Sequence, residues 1–185
     1  MLRTHHCGEL RLENLDESVN LCGWIASRRD HKDTIFVDLR DRFGRTQCVF
    51  RHGEGEDALA LTRGSELPLE TCVRVTGVVS ARPEGLRNAK LPTGDVEVLV
   101  NGLEVLGETA PVPIDIVDEV EVADELRMKY RYIDLRRAPM TEILVKRHEI
   151  TQWINRAMTE RGFVSVETPM LTKSTPEGAR DYLVP

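Results

Sequence analysis

The sequence has no apolar run approaching the roughly 20 residues that span a bilayer. Its first residues, Met1-Leu2-Arg3-Thr4-His5-His6, carry no signal-peptide core. The expectation is a cytoplasmic protein with no membrane partner. It also lacks any Cys-x-x-Cys pair. Cys7, Cys22, Cys48 and Cys72 are widely spaced, which gives zinc and disulfide-exchange chemistry no ligand pair in register, so they read as reduced, partly buried small hydrophobes. His5 and His6 beside Cys7 have no second ligand pair either, and no metal site is expected. Net positive charge is missing as well: the chain carries −6, so any nucleic-acid site must be local rather than a basic surface at large.

What is present is a balance of 41% apolar and 30% charged residues in 185, enough for one good core with an appendage. Charge is unevenly spread. Ser27 to His52 holds seven basic side chains against four acidic, whereas Glu104 to Glu125 holds eight acidic residues and no Lys or Arg. The first stretch suits phosphates and the second repels them.

Up to about residue 106, alternating and β-branched runs predict strands at Val19–Ala26, Thr34–Arg40, Thr46–Phe50, Thr71–Val79 and Val96–Val100. Gly44 turns a hairpin between the second and third, and Glu56–Thr62 reads as a helix before the fourth. Within Thr34–Arg40, Ile35, Val37 and Leu39 take one face, leaving Phe36 on the other beside Asp38 and Arg40. Three strands, a short helix and two strands is the order of the OB-fold, a five-stranded barrel whose strand face and flanking loops bind oligonucleotides and oligosaccharides. The fold class expected is therefore mainly β, an OB-fold barrel over residues 1–106. A hinge follows at 107–138, with Pro111, Pro113 and the acidic run marking 107–125 as a linker. Residues 139–185 read as the incomplete start of an α/β domain: a long amphipathic helix capped by Thr141 and stopped by Gly162, then a strand Phe163–Thr168 ended by Pro169.

The second half carries the most specific motifs. Gly162-Phe163-Val164-Ser165-Val166-Glu167-Thr168-Pro169-Met170-Leu171 resembles motif 1 of the class II aminoacyl-tRNA synthetases. Thr175-Pro176-Glu177-Gly178-Ala179-Arg180-Asp181 is similar to the segment just beyond it in the bacterial aspartyl branch, as is Lys129–Arg137 to the segment before it. Leu21-Cys22-Gly23-Trp24, Arg28-Arg29-Asp30 and Asp38-Leu39-Arg40-Asp41 resemble that branch's OB strands. The asparaginyl and lysyl relatives share the plan, but Arg28-Arg29-Asp30-His31 and the Thr175–Asp181 segment fit the aspartyl branch better.

The resemblance implies recognition of a tRNA anticodon as part of an aspartate–tRNA ligase, with tRNA(Asp) as partner and tRNA(Asn) as a second candidate. No DNA partner is expected. Anticodon-binding positions are implied at Arg29, His31, Phe36, Gln47, Arg82, Gly85 and Glu97, an aspartate contact at Glu177, and a homodimer-interface proline at Pro169. On one exposed face of the barrel Phe36 stacks on the middle anticodon base, Gln47 donates and accepts at a base edge, and Glu97 accepts from base amino or imino groups. Arg29 and Arg82 supply forks for phosphate or base. His31 and Gly85 match the state of enzymes that accept both tRNAs. The complete enzyme would use ATP and Mg²⁺. Motifs 2 and 3, whose arginines hold ATP, are not in these 185 residues, so no catalytic residue, cofactor or ligase activity is expected of this segment alone. A tRNA- or single-strand-binding module without ligase activity is the alternative reading.

Overall fold

The computed structural model describes residues 2–32, 34–51, 67–116 and 121–171, which divide into two compact units, Met1–Ala138 and Pro139–Pro185. The first is built on five strands, β1 (Ser18–His31), β2 (Thr34–Asp41), β3 (Gly44–Arg51), β4 (Cys72–Ala81) and β5 (Val96–Gly107), closed into a barrel in the order β1-β2-β3-β5-β4. The expected OB-fold is thus present, with longer strands than the apolar runs predicted. The expected helix at Glu56–Thr62 lies outside the described residues.

Strand β1 is long because it serves two neighbours. Its first half pairs with β4 (Val19 opposite Gly77), its second with β2 (Arg29 opposite Phe36), and a bulge between Ile25 and Ser27 bends it from one to the other. Closure comes from a short parallel pairing of β3 with β5, Cys48 opposite Val98 and Val49 opposite Leu99. At a second bulge, between Thr76 and Gly77, β4 and β5 approach so closely that a Cβ on Gly77 would stand 2.3 Å from the Leu99 carbonyl oxygen. Only glycine fits there.

The alternation read from β2 is realised in the packing. Ile35, Val37 and Leu39 enter the core with Val19, Leu21, Ile25, Cys48, Phe50, Val73, Val75, Val79, Val96 and Val98. All four cysteines are free. Cys7 and Cys48 are buried and Cys22 and Cys72 half-buried, and burial pushes all four thiols above their ordinary value. His6 and Cys7 serve the fold: His6 stacks on Phe43 with ring centroids 3.8 Å apart, and the Cys7 backbone N–H donates to Asp41 at 3.0 Å.

The segment after β5 is less of a free linker than its prolines and charge suggest. Ile114, Ile133 and Asp134 are buried, and two short helices, α1 (Asp124–Lys129) and α2 (Arg131–Asp134), precede residue 138. Two apolar anchors and a buried carboxylate outweigh the turn formers.

In the second unit, α3 (Ala138–Thr159) is the long amphipathic helix. It begins three residues before the cap expected at Thr141, because Pro139 is accepted in a first turn, where its missing N–H has no intrahelical partner in any case. Its end is the one expected. Gly162 takes φ +86, the Phe163 N–H returns to the Met158 carbonyl and that of Gly162 to Thr159, the two bonds of a Schellman cap. Phe163–Thr168 does not form the expected strand. Alternation needs a neighbouring strand to hydrogen-bond, and among the described residues of this unit there is none. Pro169 is exposed beyond it. Among the described residues, no helix is long and apolar enough to cross a membrane.

Candidate nucleic-acid interface

The outer face of β2, β3 and β5 carries two rows of side chains. Hairpin register sets Phe36 opposite Val49 and Asp38 opposite Gln47, and the parallel seam brings Leu99 beside Val49 and Glu97 beside Gln47. Arg29 and Ser27 on β1 stand opposite Phe36 and Asp38. The result is an apolar row of Phe36, Val49 and Leu99 alongside a polar row of Ser27, Asp38, Gln47 and Glu97.

The polar row is one connected network. Ser27 Oγ donates to Asp38 Oδ2 at 2.6 Å, and Arg29 Nη2 donates to Asp38 Oδ1 at 3.1 Å and to Gln47 Oε1 at 3.3 Å. Gln47 Nε2 in turn donates to Glu97 Oε2 at 2.8 Å, and Arg51 Nη2 lies 3.5 Å from Glu97 Oε1. Gln47 and Glu97 were expected on an exposed face with Phe36. They point outward as read, but both are buried, Glu97 to 3% exposure, while Phe36 is half-buried. Two polar groups that satisfy one another can leave water, which neither could do alone.

Arg82 follows β4 and is 6% exposed, unlike an ordinary surface charge. Its Nε donates to the Val96 carbonyl at 2.9 Å, whereas its Nη2 is buried with no hydrogen-bond partner among the described residues. Burial pulls the guanidinium below its ordinary value, and the carboxylates of Glu97 and Asp38 oppose that shift. Native proteins rarely leave a buried charged donor unpaired. Here the unpartnered nitrogen belongs to a guanidinium that feels the charge of Glu97 and Asp38.

His31 closes β1 rather than lying in a loop after it, and its ring meets Phe36 edge to face with centroids 5.8 Å apart. Gly85 lies in the β4–β5 connection at φ +86 with open space around it. Of the residues expected to bind, Arg29, His31, Phe36, Gln47, Arg82 and Glu97 are thus brought together or linked through one network. Pro169 belongs to the other unit, and Glu177 lies outside the described residues. Asp38, Ser27 and Arg51 were missed. The β2 alternation already put Asp38 on the face of Phe36, so that residue was within reach of the sequence; the partner of Arg51 lies across a seam that sequence does not reveal.

Residues 19–106 match the model of the OB-fold nucleic acid binding domain, and residues 123–185 match that of the class II tRNA synthetases (D, K and N). By these matches the chain is similar to the class II tRNA synthetases. Over its whole length it is 50% identical to the aspartate–tRNA(Asp/Asn) ligase of Corynebacterium jeikeium and 49% to that of Salinispora arenicola. It spans 30% and 29% of those curated relatives. Among solved structures, the aspartyl tRNA synthetase of Entamoeba histolytica superposes with TM-score 0.79 at 19% identity, covering 95% of this chain and 41% of that one. The asparaginyl-tRNA synthetase of Pyrococcus horikoshii complexed with asparaginyl-adenylate gives 0.77 at 24%, covering 97% and 39%. These two likenesses concern the fold.

Proposed function

We propose that the barrel reads the anticodon of tRNA(Asp), and of tRNA(Asn) as well, as part of a homodimeric ligase that activates aspartate with ATP and attaches it to tRNA. The observation that carries this reading is the buried, unpartnered Arg82 Nη2 beside the Gln47–Glu97 pair, with the half-buried Phe36 ring on the same face. An unpaired base offers what that arrangement lacks: a π-face for Phe36, an acceptor for Arg82, and edge donors and acceptors for Glu97 and Gln47. Arg29 and Arg51 reach the rim, where phosphates run. The names of the relatives, which pair aspartate with two tRNAs, support the dual specificity. ATP and Mg²⁺ enter only with the complete ligase. Among the described residues no three carboxylate, His or Cys side chains group to hold a metal, so no step of the chemistry is assigned to them.

Calorimetric titration with anticodon stem-loops tests this. Phe36→Ala is expected to weaken binding of the aspartate-tRNA stem-loop by about 1–3 kcal/mol, the worth of one stacked base, with the thermal midpoint little changed because the ring lies outside the core. Unchanged affinity, or affinity lost in step with folding, would remove the stacking role.

His31 touches Phe36 and so stands where a neighbouring base would meet the stacked one. His31→Leu is expected to widen the ratio of affinities for the aspartate and asparagine stem-loops, since specificity is a difference between two binding energies. Equal loss toward both RNAs would show that His31 only supports the ring.

A further inference from the structure

Away from that face, the far end of β2 carries a second cluster of buried charge. Arg40 Nη2 donates to both oxygens of Glu70, at 2.9 and 2.7 Å, and Arg136 Nη2 stands 3.0 Å from Glu70 Oε2. The Arg136 guanidinium also lies over the ring of Trp24, 4.1 Å from its centroid. Glu70 is nearly inaccessible, and one carboxylate between two guanidinium groups leaves a surplus positive charge, which the indole face accepts.

The backbone at Glu70 is constrained as well. Glu70 sits at φ +71, in the left-handed region where glycine would be relaxed and glutamate rarely goes. It is held there from both sides, its N–H bonded to the Ile25 carbonyl at 2.8 Å and the Ile25 N–H to the Thr71 carbonyl at 3.1 Å. Arg136 belongs to the turn between α2 and α3, the last residues of the first unit. That turn is braced again by the buried Asp134, whose oxygens lie 3.2 Å from Arg127 Nε and 3.3 Å from Arg137 Nη1. Buried ion pairs contribute little net stability and more to fixing a geometry, because desolvation offsets most of their attraction. What they fix here is the place on the barrel where the chain departs toward residue 139.

We propose that Glu70 is a positioning residue: gripped by Arg40 of β2 and Arg136 beyond α2, it holds residues 131–137 against β1 and β2 and sets the exit of the chain from the anticodon-binding unit. Its consequence for tRNA charging rests on the ligase reading above. A tRNA held by its anticodon presents its distant acceptor end correctly only if the chain between the two sites leaves the barrel in one direction. A loose exit lowers turnover rather than affinity.

Two measurements test this. In the 185-residue chain, Glu70→Gln keeps the shape and removes the charge. Amide exchange at residues 135–137 is expected to quicken at least tenfold, with the strands and the affinity for the anticodon stem-loop within twofold of the parent. In a Trp153→Phe background, Trp24 emission should shift to the red. Arg136→Lys, which keeps the charge but loses the planar stack, should fall between the parent and Arg136→Ala. In the ligase that carries this chain, Glu70→Gln should lower kcat for tRNA charging about tenfold, leaving KM for tRNA and the aspartate-dependent exchange of pyrophosphate into ATP unchanged. Unaltered exchange at 135–137, acceleration spread evenly over the barrel, or an unchanged kcat would each overturn the proposal. Failure of the parent ligase to charge tRNA would count against the ligase reading instead, and amide exchange would still decide the clamp.

Discussion

Replacing Arg82 by methionine is expected to leave the barrel within about 1 kcal/mol of its parent stability, while weakening its hold on the aspartate-tRNA anticodon stem-loop roughly 10- to 150-fold. The two effects part company because the free protein makes poor use of this guanidinium. The guanidinium bonds once, through Nε to the Val96 carbonyl, and leaves Nη2 buried without a partner among the described residues. An unmade bond of that kind costs about 1–3 kcal/mol, of the size the Nε bond returns. Methionine matches the apolar stem of arginine, ends short of the guanidinium carbon, and removes both terms. Glu97 keeps its bond from Gln47 and its ion pair with Arg51, so its charge is not stranded. Bound RNA changes the balance. A base or phosphate oxygen meeting Nη2 makes a charge-assisted bond worth about 1.5–3 kcal/mol, which is the fold-change given above. The salt dependence tells the two acceptors apart: the slope of log K against log salt falls by about 0.7 if a phosphate contact is lost and stays put if the lost contact is to a base. Destabilisation by several kcal/mol with affinity retained would make Arg82 a structural residue and take the central observation away from the anticodon reading.

The sequence showed one half of this site and hid the other, for a physical reason. Period-two alternation in Thr34–Arg40 places Phe36 outward with no knowledge of the fold, because side chains of a strand alternate whatever it pairs with. Hairpin register then carries the inference one strand further, from Asp38 to Gln47. It stops at Glu97. Position 97 reaches position 47 only across the parallel β3–β5 seam, fifty residues away in sequence, and no local pattern encodes that contact. The burial of Gln47 and Glu97 follows from their meeting, so it was illegible for the same reason, and a polar strand residue seen alone reads as wet. Arg82 was assigned its role by resemblance. Its unpartnered nitrogen is a property of the packed loop, not of the residue type. The Phe163–Thr168 segment errs in the opposite direction: alternation there is genuine, but a strand is a relation between two segments, and the described residues of its unit supply no second one. In Arg131–Arg137 nothing in the local pattern marks the one carboxylate, Asp134, as buried among the arginines.

The largest effect on stability is expected at Phe50, and its neighbour supplies the control. Phe50 and Val49 are consecutive on β3 and equally hidden, at 2% and 1% exposure, but they face opposite ways: Phe50 into the barrel core, Val49 outward beside Phe36. Phe50→Ala removes a full ring from a closed barrel whose walls are tied by hydrogen bonds all round, so the cavity cannot collapse, and the cost is expected at about 3–5 kcal/mol. Set against a domain stability of about 5–15 kcal/mol, that is a large fraction. In urea the midpoint should fall with the slope unchanged, since the area exposed on unfolding is nearly the same. Val49→Ala removes two methyl groups, about 1.5 kcal/mol by the same transfer arithmetic. Toward RNA the order should reverse. Under conditions where both variants are folded, Phe50→Ala keeps the outer face and binds the stem-loop like the parent, whereas Val49→Ala removes the support under the Phe36 ring and binds more weakly. Linkage gives an independent check: stem-loop at a hundred times its Kd should return about 2.7 kcal/mol of stability to Phe50→Ala, and a smaller amount to Val49→Ala at that concentration. If the ring of Phe36 played no part in binding, Val49→Ala would recover as much as Phe50→Ala, and the outer face of β3 would have no claim on the RNA.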